Sequence, residues 1–210
     1  MRDKNLHLYV DSQFTSPYAM SCYVALREKK LDFNISTLDL GAMENHDPDY
    51  AIRSITMRVP MLEHGNFTLS ESSAITEYLD DMFTDTSVYP QDLALRARAR
   101  QVQAWLHSDL IPIRQERSTN VVFYGEHAPA LSPAAQLAAQ KLFHAAEALL
   151  SGNTENIFDS WCIADTDLAL MLNRLIINGD PVPEKLKDYV AHQWLRPGVQ
   201  EWVAINRPLR

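Results

Sequence analysis

The sequence predicts a mixed α/β domain at the N-terminus followed by an all-helical domain. Two observations indicate the first part: short apolar runs of strand length, and a helix with one apolar face between the first two of them. A third observation marks the division, because residues 84–92 are polar and rich in turn-forming types and no strand pattern follows them. We therefore expect domains at 1–84 and 92–210.

The first elements are predicted to form a βαβ unit. The run from Leu6 to Val10 is typical of a short buried strand. Ser16-Pro17 predicts a helix start, with serine at the N-cap and proline at the first helical position. Phe33 begins a second run of strand length after this helix. A strand, a helix and a strand of these lengths favour parallel strands with a right-handed crossover.

A hairpin and a further helix complete the predicted N-terminal domain. Residues 41–55 are typical of a loop with an irregular helix, and Val59-Pro60 opens a short apolar strand at 60–64. Gly65-Asn66 predicts a two-residue turn before the return strand. Ser70-Glu71-Ser72-Ser73 then starts a helix, with hydroxyl side chains where the backbone N–H groups need partners. The order βαβ, α, ββα predicts a four-stranded mixed sheet in the thioredoxin-like arrangement.

Helical spacing alone predicts the second domain. A long helix is expected over 92–118, with a kink at Pro112 because proline cannot donate to the carbonyl four residues back. The stretch 120–133 is predicted to be a connection. Ser132-Pro133 starts another helix, and a buried helix is expected to end at Asn178-Gly179.

Composition excludes several classes of function. The net charge of −8 argues against a general nucleic-acid or anionic-membrane binder, and 46% hydrophobic residues favour a packed core. The chain carries neither a signal-peptide pattern nor an apolar run of membrane-spanning length, so we expect a cytoplasmic protein. The seven histidines lack metal-ligand spacing, so we expect no metal site.

The stretch around Val59-Pro60 and Glu71 suits a small zwitterionic peptide. If the Val59-Pro60 bond is cis, the Val59 backbone N–H and C=O stay unpaired and can act as a strand edge. The helix N-terminus at Ser72 favours an anion such as a carboxylate. Glu71 can take the ammonium group of such a peptide.

Ser16 has two interpretations. Its hydroxyl caps the first helix, and that can be its whole role. The same geometry can also donate a hydrogen bond to a thiolate above the helix. A thiol of pKa ~8.5 needs roughly 2.7 kcal/mol to titrate about two units lower. A hydrogen bond to a charged group supplies ~1.5–3 kcal/mol and a helix N-terminus ~0.3–1 kcal/mol, so one hydroxyl suffices. Ser12 in the same loop is the second candidate.

These motifs together resemble a known family. Val-Pro followed by Glu-Ser-Ser is similar to the glutathione-binding half of a glutathione S-transferase, and Ser16-Pro17-Tyr18 and Cys162-Ile163-Ala164-Asp165 fall where the other signatures of that family lie. The resemblance covers nearly the whole chain and is closest to small bacterial members. It implies glutathione as co-substrate, no metal, and a homodimer.

The resemblance also implies roles for individual residues. Val59, presented by Pro60, would pair its backbone with the cysteinyl part of glutathione, and Ser72 would take the γ-glutamyl carboxylate through its hydroxyl and amide. Glu71 would face the γ-glutamyl ammonium group. Ser16 would stabilise the glutathione thiolate as the catalytic residue.

Two features of the chain bear on the cysteines. Glutaredoxin-like relatives have Cys-Pro-Tyr-Cys where this chain has Ser16-Pro17-Tyr18-Ala19, so it can neither form nor resolve a mixed disulfide there. The segment from Cys162 to Asp165 corresponds to a capping box of the family. The resemblance implies that the Asp165 side chain reaches back to the backbone N–H of the N-cap residue. We expect Cys162 and Cys22 to be buried and not catalytic.

The resemblance implies that glutathione attacks small electrophiles such as aromatic halides, and possible peroxidase activity toward organic hydroperoxides in oxidative stress defence. The alternatives are a non-catalytic binding module of the same fold and a glutathione-dependent isomerase. The electrophile is expected between the domains, beside the first loop and the long helix, with four candidate residues: Phe14, Trp105, Asp109 and Tyr124.

Overall fold

The computed structural model describes residues 5–152 and 155–209. Its internal contacts divide the chain into two units. One unit comprises the chain up to Val88 together with the segment from Glu201 onward, and the other is Tyr89–Gln200. The sequence pattern does not reveal that the C-terminal segment packs with the N-terminal unit.

The N-terminal unit is built on the predicted four-stranded mixed sheet. Its strands are β1 (Leu6–Asp11), β2 (Phe33–Leu38), β3 (Met61–His64) and β4 (Phe67–Ser70). They lie in the order β2-β1-β3-β4, with β1 parallel to β2 and with β3 antiparallel to both of its neighbours. The parallel pair confirms the βαβ unit, and the antiparallel pair confirms the hairpin.

The helices of this unit complete the thioredoxin-like fold. They are α1 (Pro17–Glu28), α2 (Pro48–Ala51) and α3 (Ser72–Met82), with a short 3₁₀ turn at Glu44–His46 before α2. Helices α1 and α3 pack against each other; α1 also contacts β1, and α3 contacts β3 and β4. The observed order βαβ, α, ββα is the one that the sequence predicts.

All regular elements among the described residues of the second unit are helices. Its helices are α4 (Leu93–Ser108), α5 (Ile111–Glu116), α6 (Thr119–Tyr124), α7 (Pro133–Leu149), α8 (Ile163–Asn178) and α9 (Glu184–Trp194), and α10 (Pro197–Val203) follows. Helix α8 forms the centre, since it packs against α4, α6 and α9 and is buried along most of its length. No described helix of the chain is both long enough and apolar enough to cross a membrane.

The prediction of one kinked helix over 92–118 is wrong. Helix α4 ends at Ser108, and α5 begins at Ile111 after Leu110, which adopts the left-handed conformation with φ 59°. The carboxylate of Asp109 accepts the Leu110 N–H at 2.7 Å and so stabilises the break. Pro112 lies in the first turn of α5, where backbone N–H groups have no carbonyl partner within the helix. Its missing N–H therefore costs no hydrogen bond, and the proline starts a helix instead of kinking one.

The prediction of a connection over 120–133 is wrong in its first part. Thr119–Tyr124 forms α6, whose N-cap Ser118 accepts the Asn120 N–H through its hydroxyl at 3.3 Å. Gly125 ends the helix with φ 65°, a conformation that glycine adopts without steric cost. Val121 is the one residue of α6 that is buried, so a single apolar anchor explains why periodicity did not reveal so short a helix.

The predicted Asp half of the capping box is confirmed at the start of α8. The Asp165 carboxylate accepts the Cys162 N–H at 2.9 Å, and its other oxygen accepts the Ile157 N–H at 2.7 Å and the Tyr189 hydroxyl at 2.9 Å. Asp165 has no exposed surface. Burial raises the pKa of this carboxyl, while the hydrogen bonds from the two backbone amides and Tyr189 oppose that rise.

Candidate functional site

Three strand ends meet at one end of the N-terminal sheet. Tyr9 of β1 lies opposite Met61 of β3, and Met61 lies opposite Ser70 of β4. Because β3 runs against both neighbours, the carboxyl ends of β1 and β4 flank its amino end. The loop to Ser16, the Val59-Pro60 bond and the start of α3 therefore lie at this end, and the Cys22 thiol, 3.8 Å from the Ser72 carbonyl oxygen, joins α1 to α3.

Ser16 is the N-cap of α1, as predicted. Its Oγ accepts the Ala19 N–H at 3.2 Å, and its backbone has an extended conformation with φ −66° and ψ 117°. None of the described residues accepts the hydroxyl proton of Ser16 in a hydrogen bond. The hydroxyl thus has one lone pair occupied and its proton available for a ligand.

Ser12, the second candidate, lies earlier in the same loop. Its backbone N–H donates to the Leu38 carbonyl at 2.8 Å, which extends the pairing of β1 with β2 by one residue. No hydrogen bond of its hydroxyl to another described residue is present. Both serine hydroxyls are therefore available, and they differ in that only Ser16 caps a helix.

The Asp11 carboxylate organises the loop between β1 and α1, which sequence reasoning missed. Its Oδ2 accepts the Thr15 N–H at 2.7 Å and the Thr15 hydroxyl at 2.9 Å, and its Oδ1 accepts the Ser16 N–H at 3.0 Å. Asp11 is only 5% exposed. The sequence did contain a signal for these bonds. An Asp at the end of a buried strand, four and five residues before Thr15 and Ser16, favours hydrogen bonds from its side chain to their backbone N–H groups.

The C-terminal segment holds the same loop from its other side. The Arg207 guanidinium donates to the Phe14 carbonyl at 3.2 Å and to the Trp202 carbonyl at 3.0 Å. The Phe14 ring meets the fully buried Trp202 ring edge to face, with 5.6 Å between centroids. Phe14 itself is in the left-handed conformation with φ 51°, so the turn of the loop depends on these contacts.

The Val59-Pro60 bond is cis, and no described residue hydrogen-bonds to the Val59 backbone. The preceding segment is held by the buried Tyr50, whose hydroxyl donates to the Arg58 carbonyl at 2.7 Å. Pro60 is buried and Val59 is partly exposed. The N–H and C=O of Val59 are thus open to an extended ligand.

Glu71 and Ser72 form the entry to α3. Glu71 has φ 71° and ψ 116°, a conformation that L residues rarely adopt and that occurs preferentially at functional sites. Its side chain is exposed and does not cap the helix. Ser72 is buried at the first helical position, and the N–H groups of the first turn have no partner within the helix.

The remaining electrophile-site candidates belong to the helical unit. Trp105 donates through Nε1 to the Asp109 carboxylate at 3.0 Å, and Asp109 also pairs with Lys141. The Lys141 ammonium, the Leu110 amide and the Trp105 indole together lower the pKa of Asp109 to about 2. Trp105 lines a cavity of about 630 Å³ between α4 and α7, and Tyr124 is the last residue of α6.

The two cysteines are free and buried, as expected. Burial raises the pKa of the Cys162 thiol well above its ordinary value, and the nearby Asp165 carboxylate adds to that rise. A thiol that stays protonated is a poor nucleophile. Within 5–152 and 155–209, no group of three or more His, Cys, Asp or Glu side chains has the geometry of a metal site.

Family models match both parts of the chain. The N-terminal domain model of glutathione S-transferase matches residues 6–81, and its C-terminal domain model matches residues 92–207. The chain belongs to the glutathione S-transferase family. The resemblance inferred from the sequence is thus confirmed. A solved glutathione transferase homolog from Burkholderia with bound glutathione is 46% identical and covers 95% of this chain and 96% of its own, with a TM-score of 0.77.

Curated members of the family match over shorter stretches. Mouse glutathione S-transferase theta-1 is 33% identical over 138 residues, which are 63% of this chain and 57% of the mouse protein. Human theta-1 is 33% identical over 106 residues, or 50% of this chain and 43% of its own. The matches thus span about half the length of these relatives. An epsilon-class glutathione S-transferase from housefly, 21% identical, shares the fold with a TM-score of 0.76 over 95% of this chain and 96% of its own.

Proposed function

We propose that this chain is a glutathione transferase that binds glutathione at the end of the N-terminal sheet and activates its thiol through the Ser16 hydroxyl. The observation that carries the proposal is the geometry of that hydroxyl at the start of α1. Its oxygen accepts the Ala19 N–H, and its proton has no acceptor among the described residues. A thiolate placed above the helix start receives this proton as a charge-assisted hydrogen bond and also lies at the positive end of the helix dipole.

The grip on the tripeptide uses the other predicted residues. In the proposal, the backbone of Val59, which precedes the cis bond to Pro60, pairs with the cysteinyl part of glutathione. The Ser72 hydroxyl and the first amides of α3 bind the γ-glutamyl carboxylate, and the exposed Glu71 carboxylate binds the ammonium group. Glutathione bound in the Burkholderia homolog at 46% identity supports this ligand.

The chemical step follows from the activated thiolate. On an aromatic halide the sulfur attacks the ring carbon, a carbon–sulfur bond forms and halide leaves. On an organic hydroperoxide the sulfur attacks the outer oxygen, the O–O bond breaks and the alcohol leaves. A second glutathione then converts the oxidised sulfur to glutathione disulfide with release of water. The second reaction would serve oxidative stress defence.

The assembly is also part of the proposal. We propose a glutathione-binding domain over 1–84 and a helical domain over 92–210, which agrees in outline with the family-model matches at 6–81 and 92–207. We further propose that two such chains form a homodimer in the cytoplasm. Sedimentation equilibrium would reveal the dimer, and a monomer at micromolar concentration would contradict it.

The test of Ser16 is the pKa of enzyme-bound glutathione, read from thiolate absorbance near ~240 nm over pH. We expect a lowered thiol pKa in the parent and a rise of about one to two units in Ser16→Ala, since the hydroxyl supplies ~1.5–3 kcal/mol. Ser12→Ala should leave the thiol pKa unchanged. If only Ser12→Ala raises it, Ser12 is the catalytic hydroxyl and the assignment to Ser16 is wrong.

A matched control separates loss of the helix cap from loss of the thiolate partner. Ser132 caps α7 with the same distance, 3.2 Å from its Oγ to the Ala135 N–H, as Ser16 has to Ala19. Ser132→Ala also removes the bond from this hydroxyl to the Glu116 carboxylate, so it should lower stability at least as much as the about 0.5–2 kcal/mol expected for Ser16→Ala, but leave the thiol pKa at the parent value. An equal rise in both variants would mean that the effect on the thiol is an indirect result of destabilisation.

Titration calorimetry tests the grip on the tripeptide. Glu71→Gln and Ser72→Ala should each weaken glutathione binding by ~1.5–3 kcal/mol, because each removes a charge-assisted hydrogen bond. Ser73→Ala, one position further along α3, is the control and should bind as the parent does. Unchanged affinity in both test variants would contradict the assignment of this pocket.

Product analysis separates the transferase from its alternatives. A transferase consumes glutathione in proportion to a chlorinated aromatic substrate, whereas an isomerase returns it unchanged and a binding module shows tight binding without turnover. The solved structures that share the fold include a maleylacetoacetate isomerase from Methylobacterium extorquens with bound malonate and glutathione, 23% identical over 96% of this chain and 98% of its own, with a TM-score of 0.75. Turnover of an isomerisable substrate with glutathione returned unchanged would favour the isomerase, and unchanged glutathione without turnover would favour the binding module.

A further inference from the structure

We propose that Asp11 is a positioning residue that selects Ser16, and not the neighbouring Thr15, as the hydroxyl that meets the thiolate; this inference rests on the proposed function. Asp11 is the last residue of β1 and pairs with Leu38 of β2, so its backbone is anchored in the sheet. Its side chain is 5% exposed and lies under the loop that leads to α1.

The Asp11 carboxylate makes three hydrogen bonds to two consecutive residues. Two of them hold the backbone N–H groups of Thr15 and Ser16, at 2.7 Å and 3.0 Å. Together with the Phe14 N–H, which donates to the Asp11 carbonyl at 3.0 Å, they define the course of the loop. The Ser16 Cα and Cβ are thereby placed relative to the rigid end of a central strand, which a hydroxyl on a free loop would not be.

The third bond occupies the competing hydroxyl. Thr15 donates its hydroxyl proton to Asp11 Oδ2 at 2.9 Å, and a carboxylate is a stronger acceptor than a neutral group. The hydroxyl of Thr15 therefore has no proton left for a thiolate, whereas that of Ser16 does. Asp11 thus positions the Ser16 hydroxyl and occupies the Thr15 hydroxyl.

The charge of Asp11 and its positioning role predict opposite changes in the thiol pKa of bound glutathione when Asp11 is removed, so the inference is testable. A buried carboxylate near the helix start disfavours a second anion, so by charge alone its removal should lower the thiol pKa of bound glutathione. By position, its removal should let the Ser16 hydroxyl move off the sulfur and raise that pKa. We expect the rise, because the three donors already compensate the carboxylate.

The experiment compares Asp11→Asn with the parent in three measurements. We expect the thiol pKa of bound glutathione to rise toward that of Ser16→Ala and kcat to fall about ten- to a hundredfold, as for a misaligned catalytic group. The affinity for S-methylglutathione, which has no thiolate, should stay within about twofold of the parent, since the Asp11 carboxylate is hydrogen-bonded to Thr15 and Ser16 and not to Val59, Glu71 or Ser72. An unchanged or lowered thiol pKa would overturn the positioning role.

A second variant covers the case in which Asp11→Asn does not fold. Thr15→Val keeps the shape and the backbone N–H but removes one of the three bonds to Asp11. We expect a rise in thiol pKa that is smaller than in Ser16→Ala. A rise as large as in Ser16→Ala would identify Thr15 as the thiolate partner, and no rise would show that the bond has no effect; either result contradicts the inference.

Failure of the inference and failure of the proposed function are distinguishable. If the parent neither binds S-methylglutathione nor lowers the thiol pKa of glutathione, the proposed function is wrong. If the parent and Asp11→Asn bind S-methylglutathione equally well and lower the thiol pKa of glutathione equally, the proposed function stands and Asp11 is only a structural residue.

Discussion

The Lys29 ammonium donates to the Asp80 carboxylate at 3.0 Å in an ion pair whose side chains are 1% and 2% exposed. The same carboxylate accepts the Ser87 hydroxyl at 3.0 Å and the Val88 N–H at 2.7 Å. Lys29 follows α1 and Asp80 belongs to α3, so the pair fastens the chain that leaves α3 to both helices. It is therefore the interior anchor for the end of the N-terminal unit.

Removing only the cation of this pair should destabilise the protein strongly. Lys29→Met leaves the Asp80 charge buried without its partner, which costs about 3–5 kcal/mol. We expect Lys29→Met/Asp80→Asn to lose less than the sum of the single variants. Urea denaturation measures both, with Arg27→Gln as control: it breaks the exposed Arg27–Glu201 pair and should cost less than about 1 kcal/mol. Equal, small losses in all variants would contradict this expectation.

Loss of the Asp165 carboxylate should lower stability and leave glutathione binding intact. Asp165→Ala leaves the buried N–H groups of Ile157 and Cys162 without their acceptor, and the Tyr189 hydroxyl keeps only its bond to the residue-165 carbonyl at 3.2 Å. Since each unpaired buried donor costs ~1–3 kcal/mol and two N–H groups lose their acceptor, we expect a loss of at least about 2 kcal/mol in urea. The exposed Asp159, changed to Asn, is the control and should have no effect. A thermal midpoint equal to that of the parent would count against the role of the box.

Asp109 predicts a dependence of stability on pH. Its pKa of about 2 in the folded protein lies below the ordinary 3.8, so its contribution is present above 3.8 and is lost as the pH falls through about 2. Because the carboxylate is 39% exposed, we expect Asp109→Asn to lose less than about 1 kcal/mol at pH 6, and we expect this loss to shrink as the pH falls from 3.8 through about 2. In a Lys141→Met background the difference at pH 6 should shrink. A difference independent of pH would contradict the assigned pKa.

The cysteines should be inert in the native protein. Cys22 has no exposed surface and Cys162 is 1% exposed, and the pKa of the Cys162 thiol is raised. At pH 8 we expect no labelling of native protein by a chromogenic disulfide reagent, and labelling of both thiols in denaturant. Transferase activity after treatment with iodoacetamide should equal that of untreated protein. Rapid labelling of one native thiol would show that it is accessible.

Local patterns predicted the parts of the fold that depend on neighbouring residues. Ser16-Pro17 and Ser132-Pro133 start α1 and α7, and Gly65-Asn66 turns the hairpin, because capping and turn geometry involve only a few consecutive residues. The break between α4 and α5 at Leu110 and the short helix α6 around Val121 were not predicted from these patterns. There the outcome depends on one side-chain bond and one buried contact, which periodicity does not register.

The sequence by itself determined the family, the strand and helix order, and the residue types offered to a zwitterionic peptide, since these follow from short motifs and apolar spacing. Only the tertiary structure decided which groups act together: that Asp11 lies under Thr15 and Ser16, and that Arg207 and Trp202 hold Phe14. For Phe14 the physical reason is distance along the chain, and for Asp11 it is that the pairing of β1 with β2 must first place the end of the strand beside the loop. A bond between residues far apart in sequence, such as Arg207 to Phe14, exists only once the sheet and its helices have packed and brought both partners together.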